Sequence, residues 1–379
     1  MDGLVNASPA SVPKVSPAVR GGALDALRFL AALLIVLYHF GSEGPWKLWR
    51  VHPVFARGFL ATDFFLLLSG YVLGRAYGPQ VLAGRVTAVR FWLRRVMRVW
   101  PAHAIVLIVL AATVAVFNWT GTDAHSPTRF MWNDLPLQFF LVHAWHLFDG
   151  GDGWNLPSWS LSALIVCYAA FPFLWRGVAS VRWAFLLPAI GLAGVLAFNA
   201  LAWRLWSRPL YDLPFNDGLF RAAPLFALGA CLARAVELGW PSIPMARALL
   251  WGGSAILVLL QLFGRFDFPS ILCIAAIVLG AGRLPVTKPS QMIEEAAKLS
   301  FALFITHTFT GFLWFTAQHA AVRAMPIWLG VQWALWWLAF PAAMYVAWLF
   351  HKYVDQPLQD RLAPWLRGKP KAPKDPTPI

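Results

Sequence analysis

The feature that most constrains this chain is a recurrence. Runs of about 20 apolar residues come back ten times, at roughly 24–41, 54–77, 99–118, 157–175, 183–203, 219–237, 248–263, 268–281, 300–318 and 327–350. A helix of that length crosses the hydrocarbon core of a bilayer, and it satisfies its own backbone donors and acceptors there. The chain therefore reads as an all-α, polytopic transmembrane helix bundle of about ten spans. The runs at 248–263 and 268–281 are short and read equally as one tightly turned pair. Composition agrees, since 59% apolar and 13% charged residues lie outside the usual range of a soluble domain.

Orientation follows from Lys and Arg, which are retained on the cytosolic side of short loops. With the N-terminus inside, 22 of the 31 Lys and Arg residues fall on the cytosolic half and 9 on the other, so both termini are expected in the cytosol. The densest cluster is Arg85, Arg90, Arg94, Arg95 and Arg98, and a second lies between Lys352 and Lys374. The formal charge of +14 thus reads as a topology signal. Nucleic acid is not expected as a partner, because the basic residues are scattered over loops and no recognition motif accompanies them. Three regions are expected: a disordered cytosolic leader at 1–22, a membrane domain at 23–358, and a basic, Pro-rich cytosolic tail at 359–379. Cys167, Cys231 and Cys273 fall within spans and lack metal-type spacing, so they read as packing residues, and no metal is expected.

Ionisable groups inside spans carry the functional information, because each costs ~2.5–3.5 kcal/mol on insertion scales. In the first span, Arg28 and His39 are eleven residues apart, which at ~100° per residue returns to within ~20° of one face. Their axial separation is ~16 Å, so one stripe links the cytosolic edge with the outer half of the membrane. Each residue alone also reads as a snorkelling arginine or a satisfied core histidine. Asp63 lies in ATDFFLLLSGY at a depth similar to His39. It is expected either to orient the imidazole or to pair with an arginine. Ser69-Gly70 reads as a close helix contact.

In RFWLRRVMRVWPAH, Arg95 and Arg98 form a basic turn expected to end before Pro101. Such a cluster suits phosphate or diphosphate groups, and equally suits anionic lipid. The outer loop at about 119–156 holds Asp123, Asp134, Asp149 and Asp152 against Arg129 and ends in GWNLPSWSLS. Trp154, Asn155, Trp159, Ser160 and Ser162 join flat apolar faces to hydrogen-bonding groups, a combination that binds sugar rings and also builds interfacial aromatic belts.

Taken in order, these blocks resemble the bacterial integral-membrane acyltransferases of the acyltransferase-3 family. LDALRFLAALLIVLYHF is similar to the family's Arg, ten residues, then His in the first helix, and ATDFFLLLSGY to its second-helix block. RRVMRVWP, WNLPSWSLS with Tyr168 and Pro172, KLSFALFITH ending at His307, and YVDQP at 353–357 follow in the family's order. Two positions depart: Leu164 and Leu225 stand where the family commonly has glutamate.

The resemblance implies a multi-pass protein of the bacterial inner membrane. It would move an acyl group, usually acetyl, from cytosolic acyl-CoA to a hydroxyl of an envelope or exported glycan. On that reading Arg28, Arg95 and Arg98 hold the donor's phosphates, His39 is the general base with Asp63 beside it, and Trp154, Asn155, Trp159, Ser160, Ser162 and His307 receive the acceptor. Membrane lipid and a glycan or glycolipid are the expected partners. Two other readings are a transporter of an acidic or sugar-linked substrate using Arg28, His39 and Asp63 as its path, and an inactive acyltransferase-like sensor, which the missing glutamates would suit.

Overall fold

The computed structural model describes residues 22–122, 129–147 and 153–367. The expected leader up to residue 21, Asp123, Asp149 and Asp152, and the tail beyond residue 367 lie outside the described residues. Among the described residues the chain is helical, with nine helices long and apolar enough to cross a membrane. These are α1 (Ala23–Phe40), α3 (Leu60–Leu82), α4 (Ala88–Thr120), α6 (Ser158–Ser180), α7 (Leu186–Trp206), α8 (Gly218–Glu237), α9 (Ile243–Phe263), α11 (Gln291–Ala324) and α12 (Leu329–Phe350). Two short helices, α2 (Leu48–Val51) and α5 (Leu135–Phe139), sit in the connections. α10 (Asp267–Arg283), at 17 residues, supplies the tenth expected run. A three-residue turn at 264–266 joins it to α9, giving the tightly turned pair. α12 passes through one wide π turn, His351–Asp355, into α13 (Gln356–Arg367).

Burial sorts the helices into two shells. In their apolar windows α8 and α11 are 72% buried, whereas α7 is 22% and α9 17% buried. The outer helices present Ile190, Leu196, Val258 and Phe263 to the surroundings, an apolar exterior that lipid, and not water, accommodates. The inner helices approach closely where glycine permits it. A Cβ on Gly70 of α3 would lie 1.9 Å from the Phe226 carbonyl oxygen, and one on Gly229 of α8 would lie 1.9 Å from that of Leu67. The expected close contact at Ser69-Gly70 is therefore the crossing of α3 with α8.

The basic turn does not end before Pro101, because α4 continues through it as one helix of 33 residues. Proline removes a single backbone donor, and the surrounding helices hold α4 in place across that gap. Thr87 starts α4 by accepting from the Arg90 amide at 3.3 Å. Cys167, Cys231 and Cys273 are buried packing residues. Leu164 and Leu225 are buried in the main apolar core, so the departures from the family pattern are filled with hydrocarbon.

Candidate active site

The site is built where α1 ends beside the middle of α11. The last carbonyls of α1 lose their helical partners and are satisfied from outside: the Ser42 hydroxyl donates to the His39 carbonyl at 2.7 Å, and the Trp336 indole of α12 donates to that of Phe40 at 2.7 Å. Gly311 of α11 leaves room for the Phe40 ring, since a Cβ there would lie 2.7 Å from it. This packing brings His39 against His307. Nδ1 of His39 lies 2.7 Å from Nε2 of His307, and the rings stack at 5.0 Å with 17° between planes.

The proton positions in this pair follow from a backbone atom. His307 Nδ1 lies 3.0 Å from the Leu303 carbonyl oxygen, one turn back on α11. A carbonyl only accepts, so Nδ1 carries the hydrogen. In a neutral His307 the other nitrogen, Nε2, is then the acceptor, and His39 Nδ1 donates to it. The lone pair of a neutral His39 is thereby placed on its Nε2, directed away from the pair. A backbone carbonyl thus sets the tautomer of a ring on another helix.

Asp63 does not occupy the place beside the imidazole. Its two carboxylate oxygens accept from Nε and Nη2 of Arg221 at 2.8 and 2.9 Å, and Arg221 Nη1 also donates to the Tyr211 carbonyl at 3.1 Å. The physical reason is the α3–α8 crossing at Gly70 and Gly229, which sets Asp63 and Arg221 opposite each other about two turns nearer the helix starts. A bidentate guanidinium compensates a buried carboxylate more fully than a neutral ring does. Of the two expectations for Asp63, the arginine pairing is the one observed. Arg57 forms a neighbouring buried pair with Asp267 at 2.7 Å, and the Phe59 ring lies against both Arg57 and Arg221.

The expected acceptor residues are also placed differently. Trp154, Asn155, Ser160 and Ser162 are buried, as is Trp159, and their polar atoms are engaged internally. The Trp154 indole donates to the Met131 carbonyl, the Ser160 hydroxyl to that of Pro157, and the Ser162 hydroxyl accepts from the Ala144 amide. Asn155 is the centre of a buried network: its amide donates to the Ile305 carbonyl at 3.2 Å and its oxygen accepts from Thr308 at 2.7 Å. Its backbone amide donates to the Gln138 side chain at 2.8 Å. This fixes the segment of α11 that carries His307. The WNLPSWSLS block is thus buried and packed against the part of α11 that carries His307. Burial follows because the segments that carry Gln138, Ala144 and Thr308 cover the start of α6.

At the opposite end of the bundle, Arg28 pairs with Asp25 at 3.7 Å. Arg95 donates to the Tyr77 hydroxyl at 2.6 Å and lies over its ring. Arg98 holds Asp355 at 2.8 and 3.4 Å and covers the Phe301 ring. The basic turn and the closing YVDQP block therefore meet in space. The Arg98 side chain remains 37% exposed, which leaves part of the guanidinium surface open. Sequence reasoning missed Arg221, Gln138 and Thr308. Only Arg221 carries a signal, an arginine opening the sixth span.

Four of the blocks met in sequence, carrying His39, Arg98, Asn155 and His307, are thus tied together through direct contacts, and the YVDQP block joins them through Asp355. A family model described as an acyltransferase domain matches residues 22–352. The chain belongs to the acyltransferase-3 family. Similar proteins include Acyltransferase MdmB of Streptomyces mycarofaciens, 26% identical over 295 residues, which are 76% of this chain and 70% of that protein. Peptidoglycan O-acetyltransferase OatA of Listeria monocytogenes is 26% identical over 159 residues, 39% of this chain and 23% of OatA. Protein 2 in the picA locus of Rhizobium radiobacter is 36% identical over 100 residues, 26% of this chain and 47% of that protein. No solved structure matches. As an acyltransferase-3 member this is a multi-pass membrane protein with O-acyltransferase activity.

Proposed function

We propose that the protein transfers an acyl group, usually acetyl, from acyl-CoA to a hydroxyl of an envelope or exported glycan, with His39 as general base, in the bacterial inner membrane. The observation that carries this reading is the hydrogen-bonded His39–His307 pair inside a family acyltransferase domain. His39 Nε2 takes the proton from the acceptor hydroxyl as that oxygen attacks the thioester carbonyl carbon. A new C–O bond forms, the C–S bond breaks, and the imidazolium returns the proton to the departing thiolate. As His39 becomes charged, its Nδ1–H bond to His307 becomes charge-assisted and strengthens.

Arg28, Arg95 and Arg98 are proposed to receive the donor's phosphates at the other end of α1. The ~16 Å between Arg28 and His39 along the helix is then bridged by the donor's arm. Relatives named as peptidoglycan O-acetyltransferases support an envelope glycan as acceptor. The test is purified protein in detergent, given acetyl-CoA with and without candidate glycans, with free thiol followed over time. Acceptor-dependent thiol release that vanishes in His39→Ala supports the reading. Absence of thiol release with every glycan tried, together with substrate uptake into proteoliposomes, would replace it with transport.

A further inference from the structure

With the WNLPSWSLS block buried, a second candidate for the acceptor is a cavity at the connection that follows α1, whose lining begins three residues after His39. It has a volume of about 860 Å³ and is lined by Ser42, Glu43, Trp46, Lys47, Arg50 and His319, among others. Its floor begins at Ser42, whose hydroxyl caps the His39 carbonyl. It is also lined by His319, twelve residues past His307 on the same helix and so ~18 Å farther along its axis. The cavity thus extends away from the histidine pair on the side opposite Arg28, Arg95 and Arg98.

The lining is unlike the apolar exterior. Trp46 is 59% exposed and is braced edge-on against Trp333 at 6.4 Å, which fixes the plane of an indole open to the cavity. Lys47 lies over Trp49 at 5.2 Å. Lys47 and Arg50 oppose the single carboxylate Glu43, so the lining carries one net positive charge before His319 is protonated. A flat indole offers a face to the C–H side of a pyranose ring, and polar neighbours suit its hydroxyls.

We propose that this cavity is the acceptor site, and that it takes a sugar chain bearing a carboxylate. One ring stacks on Trp46, the carboxylate is held by Lys47 and Arg50, and the reacting hydroxyl passes Ser42 toward His39. The proposal rests on the acyltransferase reading above for its catalytic meaning, but its binding claim is testable without turnover. Trigalacturonic acid and the neutral trisaccharide maltotriose serve as probes, with isothermal titration on the full-length protein in detergent. Wild type is expected to bind trigalacturonic acid at least tenfold more tightly than maltotriose. Trp46→Ala and Lys47→Glu should each weaken the acidic probe at least fivefold, whereas Trp119→Ala, an exposed tryptophan at the end of α4, should not. Equal binding of the acidic probe by wild type, Trp46→Ala and Lys47→Glu, or no binding by wild type, overturns the proposal. Equal binding of the two trisaccharides overturns its carboxylate selectivity. If carbohydrate binding follows this pattern while acetyl-CoA releases no thiol, the acyltransferase reading fails and the sugar site stands.

Discussion

Asp63 and Arg221, 158 residues apart in the chain, meet as a bidentate ion pair inside the helix bundle, with Nε and Nη2 of the guanidinium at 2.8 and 2.9 Å from the two carboxylate oxygens. Both side chains are at least nine-tenths buried. The pair ties the starts of α3 and α8 together just above the glycine crossing and leaves the imidazole of His39 to a different partner.

Removing one member of that pair strands the other. Asp63→Ala is expected to destabilise the protein by ~3–5 kcal/mol, the usual cost of an uncompensated buried charge. The double variant Asp63→Leu/Arg221→Met should recover most of that loss. Thermal midpoints in detergent report this. A stable Asp63→Ala protein that has lost only turnover would instead return Asp63 to the chemistry.

His39→Ala should lower acyl transfer by ~10²–10⁴-fold with expression and thermal midpoint close to wild type. His307 acts on His39 through its acceptor nitrogen. His307→Gln, whose amide oxygen still accepts from His39 Nδ1, should therefore keep more activity than His307→Leu. The pH profile of kcat/KM separates the two, because only the leucine variant loses the partner of the imidazolium. Equal loss in both variants, with unchanged profiles, would leave His307 a packing residue.

Arg95→Ala and Arg98→Ala are expected to raise the KM for acyl-CoA. Salt screens phosphate contacts, so the gap between wild type and variant should narrow as ionic strength rises. Arg98 also holds Asp355, and a double-mutant cycle with Asp355→Ala measures that coupling. A gap that ignores salt, together with strong coupling in thermal midpoint, would assign Arg98 to the docking of α13 alone.

His143, in the connection after α5, is buried and hydrogen-bonded to Ser158 at 3.3 Å. Burial pushes its pKa down to about 3, below the ~6.5 of an unfolded histidine. Between those values the unfolded chain binds a proton that the folded chain refuses. Its contribution to stability is therefore full above pH ~6.5 and is lost as pH falls toward 3. His143→Gln should flatten the decline in thermal midpoint over this window, by the equivalent of ~2–3 kcal/mol at two pH units below ~6.5. An unchanged slope would show that other groups carry the acid sensitivity.

What the sequence determined by itself was local and periodic. Helix length and apolarity follow from runs of residues, and the bilayer rewards a self-satisfied backbone wherever such a run occurs. The eleven-residue spacing of Arg28 and His39 fixes their shared stripe in the same way, as a property of one helix. The order of the family blocks was equally legible, and it led to the correct family. Partners were not legible, because a side chain's neighbour on another helix depends on where the helices cross. Sequence spacing puts Asp63 and His39 at similar expected depths, yet the Gly70–Gly229 crossing gives Asp63 to Arg221, and the α1–α11 packing gives His39 to His307. The exposure of Trp154 and Asn155 was decided in the same manner. A polar, aromatic block at a span's start reads as membrane surface until the segments carrying Gln138 and Thr308 close over it and bond to Asn155.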